Sequence, residues 1–133
     1  IEGLQDGTID AIASDHAPHT RESKEVEFAY APCGISGIET MLPLVVTKLI
    51  EPGHLNWMQA ISKLTVGPST VLGIPFEGIV EGGRADLTVI DPHTERPVEV
   101  DKFKSKGKNC PYNGWLLKGW PAAVICGGRL TRC

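Results

Sequence analysis

The sequence predicts an α/β chain in two parts, a helix-containing part followed by a β-rich one. Three observations carry this. A short apolar run, Ile9 to Ser14, stops abruptly in Asp15-His16-Ala17-Pro18-His19, the pattern of a buried strand that delivers polar groups at its carboxyl end. Apolar residues then recur at helical spacing from Ile38 to Leu64. After Gly73, short β-compatible runs alternate with Gly and Pro turns. The change of character falls near Leu72 to Phe76, which divides the chain into residues 1–73 and 74–133.

Each element follows from local chemistry. Thr20 to Glu27 holds five charges and no apolar period, so it reads as a solvated loop or short exposed helix. Ser36, with Glu39 three residues on, fits a capping box opening a helix whose apolar face is Ile38, Met41, Leu42, Val45, Val46 and Leu49. Pro43 inside that pattern is expected to kink it or end a first turn, and Glu51-Pro52-Gly53 to stop it. Asn56 can cap a second helix with Trp57, Ala60, Ile61 and Leu64 on one face. Gly67-Pro68-Ser69 is expected to break it, with a further short turn ending at Gly73. Beyond lie strand candidates at Ile79-Val80, Ala85 to Ile90, Val98 to Val100 and Ala123 to Cys126, with a turn at Asp91-Pro92. Gly127-Gly128 reads as a two-residue hairpin into Arg129-Leu130-Thr131.

Composition removes several function classes. The net charge of −3 over 133 residues argues against a nucleic-acid or membrane-surface binder. With 15 Gly and 10 Pro the chain is no long-helix bundle. No apolar run approaches the ~18 residues of a membrane span, and the first residues carry no signal-peptide pattern. Cys33, Cys110, Cys126 and Cys133 lie outside any C-x-x-C spacing, so free thiols of a cytoplasmic protein are expected rather than a zinc ribbon or disulfide scaffold. The chain begins with Ile, and it is expected to be a piece of a longer protein.

The strongest chemical signal is the strand-end cluster. Asp15 can ligate a metal, act as a general base, or both. His16 and His19 flank Pro18 and need not point the same way. The competing reading is that Asp15 and His19 merely cap turns. D-H-A-P-H is no complete metal motif, since a catalytic zinc needs about three protein ligands, and His54 and His93 lie in unrelated turns. If Asp15 is a metal ligand, its partners are therefore expected before Ile1. Ala31-Pro32-Cys33-Gly34 is either a loop offering backbone groups to a ligand or an ordinary turn. The glycines at 82, 83, 127 and 128 form no phosphate-binding loop.

With these residues in view, the chain resembles the C-terminal third of class I (bacterial-type) dihydroorotases of the amidohydrolase superfamily. The resemblance runs through Asp6-Gly7-Thr8-Ile9-Asp10, Ile12 to His19, Ala31 to Thr40, Leu64-Thr65, Gly67-Pro68, Gly82 to Leu87 and Asn109 to Gly114. G-x-x-A-D-L marks only the superfamily; D-H-A-P-H followed by A-P-x-G-I-x-G-x-E-T is narrower. The resemblance implies the end of a (β/α)8 barrel plus the C-terminal strands of a small β-sandwich. Ile9 to Ser14 would be the last barrel strand, and residues 74–133 would belong to the sandwich.

It also implies zinc-dependent interconversion of N-carbamoyl-L-aspartate and L-dihydroorotate in pyrimidine synthesis, with one or two zinc ions. Asp15 matches the family's metal-binding, proton-shuttling Asp. His19 matches a substrate-carboxylate ligand, and Cys33 and Gly34 match a loop pair that binds substrate largely through backbone. Cys33 stands where Phe is usual, Ser14 where Thr is, and Cys110 where Thr is common; no role attaches to His16. The small-molecule substrate is the partner implied, with no nucleic acid and no membrane. A homodimer or an association with aspartate carbamoyltransferase is the assembly to expect. Two alternatives stay open: a non-catalytic dihydroorotase-like partner of that transcarbamoylase, and another cyclic amidase such as allantoinase. The other metal ligands fall outside the chain, so these residues alone are expected to be inactive.

Overall fold

The computed structural model describes residues 1–133. The first part holds α1 (Glu2–Gln5), α2 (Arg21–Lys24), α3 (Met41–Val45), a π-helical turn (Val46–Ile50), α4 (Trp57–Leu64) and α5 (Val66–Leu72). The second holds β1 (Leu87–Pro97), a 3-10 turn (Val100–Lys102), β2 (Leu116–Cys126) and β3 (Arg129–Arg132). The strands form one antiparallel sheet in the order β1-β2-β3. No helix is long and apolar enough to cross a membrane.

Ile9 to Ser14 departs from expectation. It carries no strand ladder, and Ile9 is 46% exposed. A strand exists only through its neighbours' hydrogen bonds, and no strand of this chain lies beside it. It is held instead by α4: Ile12 donates its amide to the Lys63 carbonyl at 2.9 Å, and the Lys63 ammonium donates to the Ile9 carbonyl. One parallel bridge, His16 with Ile35, follows it.

The expected capping box at Ser36 does not form. Ser36 is buried, and its hydroxyl proton is shared between the Gly107 carbonyl (2.7 Å) and Asn109 Oδ1 (3.1 Å). The Glu39 carboxylate accepts from the amides of Lys104 and Ser105 at 2.9 and 3.0 Å. Both side chains thus serve a loop some seventy residues on, and α3 begins later, at Met41. Pro43 falls in its first turn, where an amide would lack an intrahelical partner anyway. The helix therefore runs on through the π turn to the stop at Glu51-Pro52-Gly53.

Helix α4 forms as expected, with a reciprocal cap: the Gln59 amide donates to Asn56 Oδ1 and the Asn56 amide to Gln59 Oε1, both at 2.9 Å. It ends at Thr65. Gly67-Pro68 does not break a helix; it opens α5, where Pro is tolerated, and Gly73 closes α5 in the left-handed conformation.

In the sheet, Asp91-Pro92 makes a bulge inside β1 rather than a turn ending it. The Asp91 carboxylate accepts from the amides of His93 and Thr94 and from the Thr94 hydroxyl. Ile79-Val80 is an exposed turn, and Val98 to Val100 leads into the 3-10 turn. The Gly127-Gly128 hairpin is present, both glycines at positive φ, pairing Cys126 with Arg129. Asp86, the Asp of G-x-x-A-D-L, accepts from the Gly127 amide at 2.6 Å and so pins the hairpin.

Two small cores hold the molecule. Val98, Val100, Leu117 and Trp120 pack with Leu44 and Phe103 under the sheet. Val45, Leu55 and Ala60 pack with Ile12 and Leu64 among the helices. Only 14 of 133 residues are buried, which leaves many large apolar side chains, such as Ile9, Val71 and Leu72, facing outward.

Candidate functional site

Three segments distant in sequence converge after the would-be strand: residues 14–19, residues 33–37 and residues 104–109. Asp15 opens the first. It is the one non-glycine residue at positive φ, +44°. Asp tolerates this region better than most residues, but the conformation still costs free energy, and such positions cluster where function demands them. Its carboxylate stands exposed.

His16 turns the other way. Its Nδ1 accepts from the amides of Gly37 and Ile38 at 3.2 and 3.3 Å, which leaves the ring proton on Nε2. Its work is to join the first segment to the second. His19 makes the second junction: its Nε2 lies 2.9 Å from the Cys33 carbonyl and donates to it. Cys33 therefore contributes its backbone, and its side chain is exposed. Gly34 follows at φ +116°, and a Cβ there would stand 2.5 Å from the Ala17 Cβ and 3.4 Å from His19 Nε2. Only glycine fits between these segments. Lys24 supports the same loop, donating from Nζ to the Pro32 carbonyl at 2.5 Å.

The third segment closes the site from behind. Gly107 sits so near Pro18 that a Cβ would approach its Cβ to 2.6 Å. Asn109 Oδ1 accepts from the His19 amide at 3.2 Å, while its Nδ2 donates to the Gly34 carbonyl at 3.0 Å. The Ser36 amide donates to the Asn109 carbonyl at 3.0 Å. The sequence reading missed Asn109, Lys24 and the linking role of His16. Nothing local marks Asn109, which sits in an irregular loop ninety residues from the histidine it holds.

A cavity of about 500 Å³ opens beside His19, lined among others by Arg21, Lys24, Lys106, Lys108 and Asn109. Its cations outnumber Glu25 and Asp101, so it suits an anion. The bond from Glu25 raises the Arg21 guanidinium above its ordinary value. Asp15, Cys33 and Gly34 do not line this cavity; His19 is the residue it shares with the candidate site.

His19, Cys33 and Gly34 are thus brought into one junction, with Asp15 four residues from it along the same loop. No group of three or more His, Cys, Asp or Glu side chains is assembled. These residues alone do not make a zinc site; Asp15 offers one oxygen donor, short of the set a catalytic zinc requires.

The chain matches the Amidohydrolase family over residues 1–131. It is 53% identical over 98% of its length to a dihydroorotase of Pelotomaculum thermopropionicum. It is 46% identical, again over 98%, to a dihydroorotase of Bacillus subtilis. It spans about 30% of the length of these curated relatives. Among solved structures it superposes on an L-hydantoinase (dihydropyrimidinase) of Arthrobacter aurescens with TM-score 0.89 and 29% identity, covering 98% of this chain and 30% of that one.

Proposed function

The chain belongs to the amidohydrolase family, and on that premise we propose that it is the C-terminal part of a dihydroorotase. The complete enzyme would interconvert N-carbamoyl-L-aspartate and L-dihydroorotate. Residues 1–73 would supply the last barrel strand, substrate loop and following helices, and residues 74–133 the C-terminal part of a β-sandwich domain. The outward-facing apolar side chains support this, since they suit a core completed by further chain. The observation that carries the reading is the bond from His19 to the Cys33 carbonyl. It joins the two segments that a dihydroorotase would use to hold its substrate, in a chain about half identical to dihydroorotases over nearly its whole length.

One or two zinc ions, when bound, would activate water and polarise the amide carbonyl; Asp15 would give one ligand and chain outside these residues the rest. In hydrolysis of the ring, water adds to the amide carbonyl and the ring C–N bond breaks. Asp15 takes a proton from the attacking water and delivers it to the departing nitrogen. Ring closure runs the same transfers backward. His19 gives its Nε2 proton to Cys33, so its Nδ1 donates to a substrate carboxylate only when the ring is the doubly protonated imidazolium, and the surplus of cations beside it favours that anion. Cys33 and Gly34 would present backbone groups, so the replacement of the usual Phe by Cys alters pocket shape more than chemistry.

The likeness to an L-hydantoinase favours one competing reading, a cyclic amidase for a different ring. Turnover of L-dihydroorotate, hydantoin and allantoin by the full-length protein separates the two. Dihydroorotate is expected to be the best substrate. Preference for hydantoin or allantoin overturns the assignment, and no turnover of any of the three supports a non-catalytic partner of aspartate carbamoyltransferase instead.

A further inference from the structure

We propose that Asn109 is a positioning residue that sets the substrate junction by holding both of its sides at once. The inference rests on the functional reading of His19 and Gly34 given above. One amide group spans the gap: Oδ1 takes the His19 amide at 3.2 Å, and Nδ2 gives to the Gly34 carbonyl at 3.0 Å. The Ser36 hydroxyl, itself buried, bonds the same Oδ1 at 3.1 Å, so the orientation of the amide is set. Only a carboxamide supplies acceptor and donor from one planar group at this spacing.

The amide is itself anchored. The Glu39 carboxylate caps Lys104 and Ser105, Ser36 holds Gly107 and the Asn109 carbonyl, and Gly107 rests on Pro18. Position 109 is therefore a fixed point against which His19 and Gly34 are registered. A shift of one side changes the other through the shared amide, and so changes the distance between the imidazole and the Cys33-Gly34 backbone that would flank a substrate. Asn109 is bonded to His19, Ser36 and Gly34 and not to the Asp15 carboxylate, so it should act on binding more than on the chemical step.

Asn109→Asp tests this in the full-length enzyme. The carboxylate keeps the acceptor for His19 and Ser36 but sets an oxygen against the Gly34 carbonyl. The expected result is a KM for dihydroorotate raised about tenfold, the size of a lost hydrogen bond or two, with kcat within about threefold. Asn109→Ala should do the same more strongly. In the double variant with His19→Ala, the Asn109→Asp effect on KM should largely vanish, because the two act on one junction. A folded Asn109→Asp enzyme with wild-type KM overturns the proposal, as does full additivity with His19→Ala. Hydrogen exchange of the His19 amide, which Asn109 accepts directly, gives a reading that needs no activity. Faster exchange in Asn109→Ala than in the parent supports the clamp; equal exchange overturns it. If the parent enzyme fails to turn over dihydroorotate, the functional reading falls while the exchange result still decides the role of Asn109.

Discussion

His19 gives its Nε2 proton to a main-chain carbonyl, and that choice ranks the substitutions around it. Because Cys33 is used through its backbone, Cys33→Ala in the full-length enzyme should leave KM within about threefold of the parent, less than one hydrogen bond. Gly34→Ala should be severe: the new methyl meets Ala17 at 2.5 Å on a backbone at φ +116°, costing about 1–3 kcal/mol of stability from overpacking alone. Thermal unfolding checks the second and steady-state kinetics the first. His19→Ala should raise KM with a smaller effect on kcat, and an unchanged KM would remove the carboxylate contact. At Asp15, Ala has no short polar side chain to ease the left-handed conformation. Asp15→Ala should therefore be less stable than Asp15→Asn by about 1 kcal/mol, which denaturant titration measures.

The elements divide by how local their causes are. Helix α4 was legible because Asn56 and Gln59 form its cap within four residues; Asn56→Ala should cost about 1 kcal/mol. The Gly127-Gly128 hairpin was legible for the same reason. The start of α3 was not, because Ser36 and Glu39 look like a cap and are spent on residues 104–109 instead. Ser36→Ala, which strips a buried donor, should therefore cost about 1–3 kcal/mol, more than a cap position would. The Asp91 bulge makes a pH prediction. The Thr94 hydroxyl, then the His93 and Thr94 amides, lower the Asp91 carboxyl below its ordinary 3.8. A depressed carboxylate contributes stability that is present above the ordinary value and lost as pH falls through the lower, folded one. Melting temperatures of the parent and Asp91→Ala should thus differ near neutrality and converge below about pH 3.8.

Across the whole molecule, the sequence indicated helices before Gly73 and strands after it, since their patterns are written in contiguous residues. It could not indicate that Ile9 to Ser14 has no ladder here, since a ladder depends on neighbours, nor the clamp at Asn109, which depends on the chain returning ninety residues later. The central claim is that these 133 residues carry the proton-transferring carboxylate of a larger cyclic amide hydrolase. The most direct test is kcat of the full-length Asp15→Asn enzyme, in both reaction directions, with folding verified by its melting temperature. The account predicts a fall of about a thousandfold in each direction, within the range of general acid–base catalysis, in a protein that melts like the parent. Activity within about tenfold of the parent would contradict it, since that is less than a positioned acid–base group contributes.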